Sequence, residues 1–175
     1  MIEEIEINSA EDYKNIKIVG FKSHLTDFKN FMQKLNKIDS ECTIQLMNAD
    51  GIAGVEHALH STIQAIKAFS RNQNISKELG LEICVRTSGQ RQISQALKML
   101  GIKEGPMNVC AVLVGCQTDV MDKLGDILGT RDDDVLLEDP EKLREIYKIS
   151  DIEIKTAPSI SKLLMEKTSL LVLET

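Results

Sequence analysis

At 175 residues, 42% of them hydrophobic, the chain is long enough to bury a core and is read as one domain over 1–175. A formal net charge of −6 and a pI near 5.2 exclude a global electrostatic pull towards nucleic acid, so any such binding has to be local. No apolar run approaches the ~20 residues that span a bilayer, no signal peptide is recognised, and the four cysteines show neither a CxxC pair nor a neighbouring His to complete a zinc set. The expectation is a cytoplasmic protein with buried free thiols at Cys42, Cys84, Cys110 and Cys116, and with no metal or cofactor.

In chain order, residues 1–15, MIEEIEINSAEDYKN, alternate Ile with Glu and read as a short edge strand or a loose extension. Ile16 to Phe21 is the first strand. Ser23 to Ile38 follows as an amphipathic helix, with Leu25, Phe28, Met32 and Leu35 at helical spacing and Lys29, Lys34 and Lys37 on the polar face. Glu41 to Met47 alternates as a second strand. Asp50 is placed to cap a helix running to Ser70, with Val55, Leu59, Ile63, Ile66 and Phe69 as its buried stripe. On its polar face His57 and His60 stand three apart, and Gln64 and Lys67 continue from His60. Two histidines want a third ligand to hold a metal, and this helix supplies none.

After a polar loop from Arg71 to Leu79 comes the run LEICVRTSGQRQISQALKMLG. Leu81, Ile83 and Val85 alternate with Glu82, Cys84 and Arg86, which predicts a strand. Ile93, Ala96, Leu97 and Leu100 then form a helical stripe, stopped by Gly101. The join between them, Thr87 or Ser88 with Gly89, reads as a helix N-terminus flanked by Arg86 and Arg91, a cradle for a phosphate or carboxylate.

Gly105-Pro106 marks a turn, and Asn108 to Val114 is a nearly all-apolar strand, expected at the centre of the sheet. Thr118 to Leu128 reads as a helix. Gly129 and Asp132, Asp133 and Asp134 read as an exposed acidic turn; the triple Asp lacks the spaced oxygens and Gly of a calcium loop. Asp139-Pro140 starts another helix, and Ser159 or Ser161 starts a last one, with Ser169 to Leu173 as a helical turn or strand. The fold class is α/β: a single-domain sandwich with a mixed, mostly antiparallel central sheet flanked by helices.

The run ICVRTSGQRQISQALKMLGI resembles the VRxSGQRQIxxAxxxxG signature of the smallest core subunit of the KEOPS (EKC) complex, the family of TPRKB, the PRPK-binding protein, in its archaeal type. NADGIAGVEHALHSTIQAI, upstream, is similar to the same family's entry into a helix. The resemblance covers about the middle third of the chain. It implies a binding protein without chemistry of its own, which docks on the kinase-like ATPase subunit, joins the other subunits through it, and recruits tRNA by its 3′ CCA end. The complex installs threonylcarbamoyladenosine in tRNA.

On that reading the tRNA-facing residues are Arg86, Ser88, Gly89, Gln90, Arg91 and Gln92, with His57, His60, Lys67 and Arg71 from the neighbouring helix. Charge leans the same way: from Asp50 to Gly105 there are seven Lys and Arg against five Asp and Glu, while the remainder carries −8. Kinase docking asks for spare apolar surface, assigned to Ile93, Leu97, Leu100, Leu163 and Leu164. The alternative is a small enzyme or sensor domain that binds an anionic small molecule at Ser88-Gly89-Gln90-Arg91, with a histidine as acid or base. Local spacing shows no Ser-His-Asp, Cys-His or HExxH arrangement for it.

Overall fold

Four strands form one antiparallel sheet in the order β2-β3-β1-β4 in the computed structural model, which describes residues 15–38 and 41–171. They are β1 (Ile16–Leu25), β2 (Thr43–Asn48), β3 (Gly105–Val114) and the two-residue β4 (Thr130–Arg131). Eight helices accompany them among the described residues: α1 (Phe28–Asn36), α2 (Val55–Ser70), α3 (Leu79–Ser88), α4 (Ile93–Leu100), α5 (Asp119–Leu128), α6 (Pro140–Tyr147), α7 (Asp151–Thr156) and α8 (Ile160–Leu170). The expected α/β class with a mostly antiparallel sheet is the one observed. The edge-strand or tail reading of residues 1–14 lies outside the described residues.

β3 sits between β2 and β1, as its apolar run predicts, and Val109 to Leu113 are buried from both sides. On one face, Val19, Phe21 and Leu46 pack against Phe31 of α1 and Val120, Leu124 and Leu128 of α5. On the other, Met47, Cys110 and Val112 meet Ala58 and Ala65 of α2, Ile83 and Val85 of α3, and Leu100 of α4. A third cluster joins Ala53 to Leu143 of α6, Ile149 between α6 and α7, and Leu164 of α8.

Several expectations are corrected. β1 continues to Leu25, paired with Gly105, and α1 starts only at Phe28, where the Asp27 side chain accepts the Asn30 N–H. Asp50 does not cap α2: it belongs to a 3-10 turn, Ala49–Gly51, capped by Asn48, and α2 begins after Gly54, whose φ is +84°. The buried face of α2 is Ala58, Ser61, Thr62, Ala65 and Ala68, not the Val55 stripe; Val55 is 46% exposed and Leu59 37%. Small side chains let α3 and α8 approach α2 closely, and the Ser61 and Thr62 hydroxyls donate to the His57 and Ala58 carbonyls within the helix.

The largest correction is the predicted strand Leu81 to Arg86, which is α3, a helix. Glu82 through Ser88 are all buried, so the helix is covered on every side and carries no amphipathic period, while chance alternation imitates a strand. Gly89, with φ of +69°, closes α3 in the left-handed region instead of opening α4.

The cysteines do not all stay free. Cys42 and Cys116 form a disulfide with Cα atoms 4.9 Å apart, across 74 positions of sequence. The Thr43–Val114 pairing brings these two flanking residues together at one end of the sheet. Cys84 and Cys110 are free and buried, and burial pushes each thiol up to about 12. The acidic turn also has an internal use: Asp133 accepts the Gly20 N–H at 3.0 Å, Asp132 pairs with Lys22 and its amide donates to Gly20 O, so the turn is fastened to β1. A side chain at Gly20 would meet Asp132 O.

Candidate nucleic-acid and docking surfaces

The join read as an anion cradle is a helix–turn–helix, and it separates its residues into two environments. Arg86 is 1% exposed. Its Nε and Nη2 donate to Glu82 Oε1 at 3.0 and 2.9 Å, and Nη2 also donates to the Gln73 carbonyl at 3.3 Å. Glu82 in turn accepts the amides of Ile75 and Ser76. The pair ties the 73–76 loop to α3 inside the protein, so Arg86 offers no charge to a ligand outside. Arg86 Nη1 has no hydrogen-bond partner among the described residues. Ser88 is buried as well; its hydroxyl donates to Val85 O and accepts the Gln90 amide.

Past Gly89 the chain surfaces. Gln90 is half-buried, Arg91 and Gln92 are exposed, and α4 begins at Ile93 without a side-chain cap. The Arg91 Nη2 reaches the Leu171 carbonyl at 3.5 Å, just beyond the end of α8, and Lys167 Cβ lies against Gly89. The same end of α8 receives α2: His60 Nε2 sits 3.1 Å from Ser169 Oγ. The structure therefore brings His60 and Arg91 to the same end of α8 and adds Lys167, which the sequence reading did not include. Lys167 also pairs with Glu153 of α7 at 3.2 Å. Lys67 is half-buried on α2 and Arg71 exposed at its C-cap.

The two histidines have opposite fates. His57 is buried, its Nδ1 accepting the Ala53 N–H at 3.0 Å and its Nε2 3.1 Å from the Thr87 carbonyl, to which the neutral ring donates. Tyr147 O–H donates to Gly51 O at 2.7 Å, with Thr87 O at 3.3 Å, and its ring meets His57 edge-on at 6.2 Å. Desolvation lowers the His57 pKa to about 4, against the smaller opposing effect of the Thr87 hydrogen bond. Both ring nitrogens are committed, so His57 joins α2, α3 and α6 and is closed to acid–base work. His60 stays partly exposed, its pKa lowered chiefly by desolvation. Among the described residues no group of three His, Cys, Asp or Glu could hold a metal ion, and no helix is long and apolar enough to cross a membrane.

The apolar candidates divide too. Leu97 of α4 is 41% exposed, and Ile93 and Leu163 are half-buried, while Leu100 and Leu164 are core residues. Burial removes the last two from any docking face. The structure supplies others: Phe28 of α1, Val55 and Leu59 of α2, Ile152 of α7 and Leu170 of α8 are all exposed. Val55 and Leu59 were hidden by assigning them to the core; the Ala58, Ser61, Ala65 and Ala68 row of small residues was the available sign that the other face of α2 packs inward.

Residues 22–171 match the family model described as kinase binding protein CGI-121. The chain belongs to the CGI-121 family. It is 41% identical over 109 residues to the regulatory protein Cgi121 of Methanocaldococcus jannaschii, a match covering 60% of this chain and 70% of that relative. It is also 42% identical over 50 residues to the KEOPS complex subunit Cgi121 of Pyrococcus abyssi, covering 29% of each chain. The CGI-121 match takes in the whole α2–α3–α4 region and α8, so both surfaces described above lie within the family's span. The first 21 residues precede it.

Proposed function

We propose that this chain is a one-domain, non-catalytic accessory subunit of a cytoplasmic KEOPS complex. It docks on the kinase-like ATPase subunit, through it joins the other subunits, and recruits tRNA by its 3′ CCA end for threonylcarbamoyladenosine modification. The observation that carries the reading is membership of a kinase-binding family together with the likeness to a KEOPS subunit. Geometry supports it in two ways. His57, the best-placed acid or base beside the turn, is sealed by its own hydrogen bonds, and Arg86 and Ser88 are withdrawn from the surface, which leaves the anion-binding enzyme or sensor alternative without a cradle.

Arg91, Gln90, Gln92, His60, Lys67, Arg71 and Lys167 are the residues we assign to tRNA, and Leu97, Ile93 and Leu163 to the kinase-like subunit. Single-stranded ends are read by stacking and by hydrogen bonds to base edges; with only 3% aromatic residues in the chain, guanidinium and imidazole planes must provide the stacking. The test is binding of the purified protein to intact tRNA and to tRNA lacking CCA, at low and physiological salt, because phosphate contacts weaken steeply with salt. Loss of binding with CCA supports the reading. Equal binding of both RNAs removes the 3′ end from it, and failure to co-purify with the kinase-like subunit removes the complex.

A further inference from the structure

A groove of about 630 Å³ is lined by residues of α1, β2, α3 and α4. Phe28, Met32, Ile44, Leu81 and Leu97 make its walls apolar, and Cys42 lines it beside them. Cys42 is one half of the Cys42–Cys116 disulfide, and both cysteines are half-buried rather than sealed in the core. Accessible bridges are the ones that exchange with outside thiols. We propose that Cys42–Cys116 is a thiol–disulfide exchange site entered through the groove, with a dithiol as its substrate and Cys42 Sγ as the sulfur attacked.

The direction of attack follows from which sulfur the groove presents. Among the described residues, Cys42 is the half of the bridge that lines it. A thiolate of the incoming dithiol bonds to Cys42 Sγ, the Cys42–Cys116 bond breaks, and Cys116 leaves as a thiolate that takes up a proton. The second thiol of the dithiol gives up its proton, attacks its partner sulfur in the mixed disulfide and releases Cys42, which is protonated in turn. Two electrons pass to the bridge, so the chain ends with two thiols and the reductant ends as a disulfide.

Two features make the step reversible and confine it to this pair. The β2–β3 ladder runs from Thr43–Val114 to Asn48–Val109, and its backbone hydrogen bonds hold the strand ends together without the bridge. Reduced Cys42 and Cys116 therefore stay within reach of each other, and the bond can form again. The remaining thiols are withdrawn: Cys84 and Cys110 are free but buried, and desolvation pushes both up to about 12. The thiolate is the attacking form, so neither competes for the exchange.

The full, oxidised chain tests the site without any substitution. It is treated with dithiothreitol at neutral pH in the absence of denaturant, quenched with iodoacetamide at intervals and mapped by mass. Cys42 and Cys116 should become labelled together, at a rate within roughly tenfold of that for a short peptide disulfide, while Cys84 and Cys110 stay unlabelled. Removing the dithiol and adding oxidised glutathione before the quench should restore the bridge. Reduced glutathione, a single thiol, followed by the same quench catches the first step: its adduct should fall on Cys42 at least about tenfold more often than on Cys116. An even split, or an excess on Cys116, overturns attack through the groove. Reduction that proceeds only once urea unfolds the chain makes the bridge a plain brace and overturns the exchange site. So does a chain purified in air that, once unfolded, takes label on all four cysteines.

Discussion

Arg86 and Arg91 lie five positions apart in one run, yet they belong to two regions governed by different physics. On the α3 side of Gly89 the polar groups are consumed internally: Arg86 by Glu82, Thr87 by the Ile83 carbonyl, Ser88 by Val85 and Gln90. On the α4 side Arg91 and Gln92 face solvent beside the end of α8. A motif that looks uniform as letters is half core and half surface. Buried charge there fixes the fold; only the exposed half can be spent on a partner.

The sharpest way to break this contrast is Arg86→Ala. It leaves the Glu82 carboxylate buried with the Ile75 and Ser76 amides but no counter-charge, and unfolding by denaturant should show a loss of about 3–5 kcal/mol. Replacing both members with apolar residues of similar volume should restore much of it. The apolar candidates follow: Leu164→Ala should cost about 2–5 kcal/mol as a core truncation. Leu97→Glu should instead leave the unfolding midpoint nearly unchanged and abolish co-purification with the kinase-like subunit.

His57 allows a pH version of the comparison. Its folded pKa of about 4 lies below the unfolded 6.5, so between these values the unfolded chain binds a proton that the folded chain refuses. Its contribution is complete above pH 6.5 and falls as pH drops towards 4, by about 3 kcal/mol in all at 1.36 kcal/mol per unit. The His57→Gln variant should be less stable at pH 7 but show a shallower decline in acid, measured by urea midpoints across that window. Arg91→Glu is expected to have the smallest effect on stability, within about 0.5 kcal/mol, while weakening tRNA binding and reducing its salt slope by about 1 or more. Unchanged tRNA binding would put the RNA surface elsewhere.

How far these differences could be read from sequence depends on whether the cue is local. β3 was legible because a strand buried on both faces must be apolar throughout, and α6 because Asp139 and Pro140 spell out a helix start. α3 was not: it is buried all round, and the Glu82–Arg86 pair that would have betrayed a helix by its i,i+4 spacing looked like the polar half of a strand. The α2 face misled for a related reason. Close helix packing selected small residues, leaving its larger apolar side chains Val55 and Leu59 towards solvent. The Cys42–Cys116 bridge depends on strand register, a tertiary property with no local trace. Of the candidate site, the Arg91 side was recoverable from the signature run, whereas Lys167 was not, since only folding carries α8 to Gly89.

Tyr147 gives the molecule a built-in optical gauge. The chain has no Trp and only two Tyr, so half of its phenol absorbance comes from Tyr147, whose hydroxyl is held by the Gly51 and Thr87 carbonyls. Burial drives its ionisation well above the ordinary 10, and the stability held there is lost as pH rises past that value. In an alkaline titration, the red-shifted phenolate signal from this ring should emerge only as the α2–α3–α6 junction comes apart. Its ultraviolet spectrum can therefore time the opening of that junction without any label.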